Sequence, residues 1–302
     1  MVFAMTTTAV FAAGATFYPD AVTLQNPTSD GTSTTWDCIY FGVYPQSDAT
    51  GATKDPIKWR VLEVSGGHAL LLADKNLDAR PYNEVNANVT WKKSTLRSWL
   101  NGYGDDQNSA KISYAKDNFL DVAFTLHEQN QIHRTSVYTS VIGESGKEAA
   151  ENKLFLLSVE DMTNTAYGFT NQTGASSDTA TREAVNTAYT GSYPNMNSGG
   201  NTDRYWLRDQ GDAADKAVSC YHQGAIMPAG LGVNVNGNNN VAVRPAINLE
   251  LADTSVWSYA GTVTADFAYA GNVTSKEQIT SASIDEVKYT ETGSAIEPVV
   301  TV

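Results

Sequence analysis

The stretch I-K-W-R-V-L-E-V-S-G-G-H-A-L-L-L-A (57–73) decides the fold class. Ile57, Trp59, Val61 and Glu63 fall on one face of an extended chain and Lys58, Arg60, Leu62 and Val64 on the other, the period-two pattern of a strand. Gly66-Gly67 accepts the positive φ angles that a two-residue hairpin turn demands, so H-A-L-L-L-A (68–73) reads as the returning strand. Working outward, other short runs rich in β-branched and aromatic residues also read as strands: C-I-Y-F-G-V-Y (38–44), K-L-F-L-L-S (153–158), R-Y-W-L-R (204–208) and V-A-V-R-P-A-I-N-L-E-L (241–251). Helices intervene. Thr90 is placed to cap T-W-K-K-S-T-L-R-S-W-L-N-G, where Leu96, Trp99 and Leu100 follow helical spacing and Gly102 stops the helix. Thr125 with Glu128, and Ser158 with Asp161, form capping-box patterns. Residues 163–203 read as a long polar loop. The class is α+β: short antiparallel strands, a few helices and long loops.

The 302 residues suggest one or two domains. Apolar residues make up 41%, with six Trp, fifteen Tyr and nine Phe, enough for a real core and against disorder. With 33 acidic against 20 basic residues the net charge is −13, which argues against nucleic acid as a partner. Only 18% of residues are charged, while Asn occurs 23 times, a surface suited to hydrogen bonding and stacking. Residues 1–14, M-V-F-A-M-T-T-T-A-V-F-A-A-G, read as the remnant of a secretory signal peptide. No later stretch reaches the roughly 18 apolar residues a membrane helix needs. Residues 15–252 then form the main domain. After 252 the composition turns Thr/Ser/Ala/Val-rich, which reads as a β-rich linker.

Seven motifs occur in order: I-Y-F-G-V-Y-P-Q (39–46), I-K-W-R-V-L-E-V (57–64), A-L-L-L-A-D-K-N-L-D-A-R-P-Y-N (69–83), T-W-K-K-S-T-L-R-S-W-L-N (90–101), K-L-F-L-L-S-V-E-D (153–161), Y-W-L-R (205–208) and V-R-P-A-I (243–247). Together they resemble a bacterial domain family of unknown function, common in secreted and surface proteins of gut Firmicutes. The resemblance implies a C-type-lectin-like fold, related to formylglycine-generating enzymes and to the variable proteins of diversity-generating retroelements. It also implies an extracellular or cell-surface location. Here Y-W-L-R-D-Q-G replaces the more usual W-W-L-R-S-P-G. Residues 279–302 are similar to the opening of a bacterial Ig-like surface repeat, which implies a module of a longer surface protein, expected to be monomeric.

Most catalytic and metal chemistry finds no pattern to carry it. His68, His127, His133 and His222 lack the i, i+4 spacing of a helical metal pair, and neither calcium-lectin nor EF-hand strings are present. G-E-S-G-K (143–147) lacks the first Gly of a phosphate loop and the Ser/Thr after Lys147. No G-x-S-x-G elbow occurs. Glu160 and Asp161 fit the favourable charge of a helix's first turn better than a glycosidase pair, and Asp105 and Asp106 fit a solvated loop. Cys38 and Cys220 leave two alternatives open, a disulfide or two buried thiols. Trp59, Trp91 and Trp99 sit at core spacing, and Arg208 and Arg244, each within a strand, are expected to hold buried carboxylates or carbonyls.

The expected function is a non-enzymatic binding module for a glycan or an extracellular protein, with no cofactor and no metal. Its ligand contacts are expected in loops around 205–240: Tyr205, Trp206, Tyr221 and His222 as ring surfaces, and Asn234, Asn236, Asn238, Asn239 and Asn240 as amides. A carbohydrate- or peptide-active enzyme and a structural spacer are the alternatives.

Overall fold

The computed structural model describes residues 22–268 apart from 144, 175–177, 227–232 and 235–240, with backbone alone at 233–234. The residues expected to form the signal-peptide remnant and the Ig-like start lie outside the described residues.

The described residues form fourteen strands: β1 (Thr28–Ser29), β2 (Ser33–Tyr44), β3 (Asp55–Ser65), β4 (His68–Ala73), β5 (Asp78–Arg80), β6 (Thr135–Ser140), β7 (Lys147–Asn152), β8 (Leu154–Phe155), β9 (Tyr205–Gln210), β10 (Lys216–Cys220), β11 (Val233–Asn234), β12 (Val241–Val243), β13 (Ala246–Glu250) and β14 (Ser258–Asp266). The helices are α1 (Thr95–Asn101), α2 (Phe119–Ala123), α3 (Leu126–Gln131) and α4 (Val159–Met162). A larger sheet runs β1-β2-β3-β4-β13-β8, with β14 also on β2. A smaller one runs β11-β10-β9-β12-β5, and β6 pairs with β7 in a separate hairpin. Every pairing is antiparallel except β9 with β12. The class is therefore mixed α+β, as the strand and helix patterns predict.

The 57–73 hairpin forms as read, with Gly66 and Gly67 both at positive φ. Its alternation breaks at one place. A bulge between Val61 and Glu63 leaves Leu62 fully buried and turns Glu63 out to solvent. A second bulge, in β2 between Tyr40 and Val43, contains Gly42 at φ 67°. A Cβ there would lie 2.4 Å from the Phe124 ring, so only glycine lets α2 approach the strand.

Capping chemistry sets the helix ends. The Thr125–Glu128 and Ser158–Asp161 capping boxes are both present. The helix expected from Thr90 begins later. Residues Trp91–Lys93 make a single 3-10 turn, and Ser94, accepting from the Arg97 N–H, caps α1. Thr90 instead donates its hydroxyl to Glu148. Gly102, in the left-handed conformation, ends α1 as expected.

The run 241–251, expected as one strand, is two. Arg244-Pro245 separates β12 in the smaller sheet from β13 in the larger one, and residues 74–77 make the matching crossing between β4 and β5. The crossings are joined: Ala73 N–H donates to the Pro245 carbonyl and Leu77 N–H to that of Val243. Arg244, fully buried, sits between them and donates to the carbonyls of Ala73, Asp74, Arg182 and Glu183 and to the Tyr205 hydroxyl. Arg60 approaches the same crossing and pairs with Asp74 at 2.7 Å. Burial pushes the Asp74 carboxyl up, but Arg60 and Arg244 outweigh it and hold it below its ordinary value. Trp36, Trp59, Trp91 and Trp206 fill the core without measurable exposure, and Trp99 is buried beside them.

Part of the span expected as a β-rich linker after residue 252 is a strand. β14 pairs with β2 from Ser258↔Tyr40 to Asp266↔Ser33, so this segment is an edge strand of the larger sheet. No helix among the described residues is long and apolar enough to cross a membrane.

Candidate functional site

Tyr205 and Trp206 do not face a ligand. β9 is covered on both sides, so Tyr205, Trp206, Leu207 and Arg208, which should alternate between core and solvent, are all buried. Tyr205 donates its hydroxyl to the Arg182 carbonyl at 2.6 Å, and Trp206 Nε1 donates to the Arg80 carbonyl at 2.9 Å. The Trp206 ring meets Tyr82 edge-on at 5.6 Å. Both are core residues with satisfied polar ends, which corrects the reading of them as exposed rings. Tyr221, half-buried, and His222, exposed, follow β10 in a turn closed by Tyr221 N–H to the Ala225 carbonyl. Asn234 pairs through its backbone with Lys216. Asn236, Asn238, Asn239 and Asn240 lie outside the described residues.

The two cysteines are free and buried, Cys38 in β2 of the larger sheet and Cys220 in β10 of the smaller. Of the two alternatives, the structure holds the thiols, not the disulfide. Burial pushes Cys38 up to about 12 and Cys220 to about 11, away from reactivity. Among the described residues no three His, Cys, Asp or Glu side chains gather as metal ligands. His127 Nε2 lies 2.9 Å from Asp253, and the rings of His68 and His133 meet at a tilt with centroids 5.0 Å apart.

The described residues do form an open cleft of about 420 Å³, built where the β6–β7 hairpin, α4 and the outer face of the larger sheet come together. Such volumes fall in the range of small-ligand sites, about 300–1,000 Å³. The sheet supplies Glu63, Leu70 and Asn248, which are side by side because Glu63 pairs with Leu70 and Leu70 with Asn248. The opposite face of these strands, with Ala69, Leu71, Ile247 and Leu249, is core. The hairpin supplies Thr135, Ser136, Val137 and Tyr138, of which Val137 is buried and Ser136 and Tyr138 are exposed. Tyr138 is 53% exposed. Tyr167 enters from a 3-10 turn, Thr165–Tyr167, anchored by Trp36 Nε1 donating to the Tyr167 carbonyl. Burial raises the Tyr167 hydroxyl, and the nearby Glu63 and Asp161 carboxylates raise it further.

Arg208 assembles this wall. Its Nε donates to the Tyr138 carbonyl of the hairpin, while its Nη1 donates to the Leu156 carbonyl and to Asp161. Asp161 is aimed at it because the same carboxylate accepts the Ser158 N–H in the capping box. Beside it, Asp209 accepts the Val159 N–H at 2.6 Å, and burial raises its carboxyl. Lys147 and Glu160, both well exposed, pair at 2.5 Å. The expectation that Arg208 and Arg244 hold buried partners describes both side chains. Of the cleft residues, the sequence points to Glu63, Lys147, Glu160, Asp161 and Arg208 for other reasons, and to none as a ligand contact. Tyr138 carried a readable signal, since T-S-V-Y-T-S alternates with a lone tyrosine on its polar face.

No curated protein sequence matches the chain, and no solved structure does. Residues 66–251 match the family described as Domain of unknown function (DUF6273), a span that begins in the Gly66-Gly67 turn and ends just beyond β13. On that match, which covers more than half of the sequence, the chain belongs to the DUF6273 family.

Proposed function

We propose that this domain is a non-enzymatic carbohydrate-binding module of C-type-lectin-like character, acting outside the cell, and that its ligand is a glycan held in the cleft beneath Tyr138. The observation that carries this reading is the composition of the cleft wall. It joins two tyrosines, Tyr138 and Tyr167, to hydroxyl and amide side chains at Thr135, Ser136 and Asn248. Tyrosine rings offer rigid apolar area to a sugar face, and hydroxyls and amides both donate and accept, as sugar hydroxyls require. The lectin-like reading is supported by the ordered motifs and by two mostly antiparallel sheets with few, short helices. The extracellular reading rests on the sequence of the first fourteen residues and on the family resemblance. A catalytic reading has less support, because Asp161 is committed to Arg208 and Glu160 to Lys147. Tyr221 and His222, on the far side of β10, are available as a second contact region.

A broad glycan panel presented to the full chain tests this reading. Binding to at least one glycan is expected, and Tyr138→Ala should weaken it about tenfold, close to 1.4 kcal/mol. Because Tyr138 is largely exposed, its loss should alter stability by no more than about 0.5 kcal/mol. Absence of binding to every glycan, or binding indifferent to Tyr138→Ala and to Tyr167→Ala, overturns it.

A further inference from the structure

The charges that line the cleft do not balance. Three are acidic, Glu63, Glu160 and Asp161, and two are basic, Lys147 and Arg208. Both cations are already engaged, Lys147 with Glu160 and Arg208 with Asp161. Glu63 is the one charged side chain of the wall, among the described residues, that has neither an ion-pair nor a hydrogen-bond partner. Its place is set by the backbone: the bulge at Leu62 turns it out of the core and onto the cleft-facing side. Tyr167 and Tyr138 line the same cleft with it.

An unpaired carboxylate with tyrosine faces nearby is the set of groups that recognises an alkylammonium. The carboxylate accepts charge-assisted hydrogen bonds, and the negative faces of the rings attract the cation. The same carboxylate repels an acidic sugar, and the chain's net charge of −13 repels it at longer range. A neutral sugar gives Glu63 only ordinary hydroxyl donors. We propose that the cleft selects glycans carrying a free amino group, with the ammonium seated against Glu63 and a tyrosine face. This rests on the carbohydrate reading above and names the class of sugar that the same site prefers.

Three oligosaccharides of equal length separate the possibilities by titration calorimetry on the full chain at mildly acidic pH: a glucosamine oligomer, its N-acetylated counterpart and a uronic-acid oligomer. The amino form should bind about fivefold more tightly than the acetylated form, the gain expected of one exposed carboxylate and one cation–π contact. The uronic acid should bind weakest. Added salt should reduce the preference. Glu63→Gln, a substitution at an exposed strand position, should abolish the preference, bringing the affinities for the amino and acetylated forms to within about twofold of each other.

Equal affinity for the amino and acetylated forms overturns the amino-sugar assignment and leaves the carbohydrate reading standing. So does a preference that survives Glu63→Gln, or tighter binding of the uronic acid, which would make Lys147 the recognising group. Binding of a lysine-rich peptide with the same dependence on Glu63, and of no glycan at all, overturns both.

Discussion

Arg208 and Asp161 form an ion pair that ties three separate pieces of chain to one guanidinium. Arg208 lies in β9, Asp161 in α4, and the other donors of the guanidinium reach the Tyr138 carbonyl in the hairpin and the Leu156 carbonyl just past β8. Replacing Arg208 by Met leaves a partly buried carboxylate without its countercharge and two carbonyls without this donor, a loss of about 3 kcal/mol. Asp161→Asn keeps a capping acceptor and should cost about 1 kcal/mol. Urea unfolding measures both, and limited proteolysis of the Arg208→Met protein should cut first in the β6–β7 hairpin.

Arg244 presents a stricter case. Its donors serve four carbonyls and one hydroxyl inside a closed environment, and a lysine in its place has neither the planar fork nor enough donors. Arg244→Lys should destabilise by about 3 kcal/mol. A loss under about 1 kcal/mol in chemical denaturation would show that water replaces the missing donors.

Two glycines at positive φ should differ sharply. Gly66→Ala meets nothing within 4 Å and should cost only the conformational penalty, about 1 kcal/mol. Gly42→Ala adds a clash with the Phe124 ring to the same penalty, and the sum should reach about 3 kcal/mol. Thermal midpoints of the two variants check the order.

Glu183 gives stability a dependence on pH that can be read by subtraction. Burial raises its carboxyl from an ordinary 4.5 to about 7, only partly opposed by Arg60. A raised folded value means that the folded protein keeps the proton longer than the unfolded chain. The contribution is fully present below about 4.5 and is lost as the pH climbs through about 7. Solvent around this half-buried group limits the loss to about 1 kcal/mol. The difference in urea midpoint between the parent and Glu183→Gln should therefore move in favour of the variant from pH 5 to pH 8.

Both thiols should be silent in the folded protein. A thiol reagent should find neither Cys38 nor Cys220 under native conditions and both after denaturation. Detection of a single intramolecular disulfide, by a two-dalton mass difference on reduction, would contradict the structure.

Local chemistry made much of this fold legible. Gly66-Gly67 announced its turn, Thr125–Glu128 and Ser158–Asp161 announced their helices, and Trp59, Trp91 and Trp99 announced the core, because each signal acts within a few residues. What stayed hidden depends on neighbours remote in sequence. Tyr205 and Trp206 read as surface rings because nothing in Y-W-L-R shows that β9 is covered from both sides. The bulge at Leu62 reverses the expected side of Glu63, and with it moves an acid without an ion-pair partner into the cleft. Pro245 cannot donate to a sheet ladder and so marks the break inside 241–251, but nothing local shows that the two halves join different sheets. The cleft itself joins residues from 63 to 248, so no local pattern outlines it.

The two crossings at 74–77 and 244–245 give the sheets a common fate. Each sheet contains one half of both pairs of strands, and Arg244 fastens the halves where they part. Opening one sheet pulls the chain that the other needs, so separate melting of the two has no low-energy route. The slowest amide hydrogens of Leu71 in the larger sheet and of Leu207 in the smaller should exchange through a single opening with the same free energy.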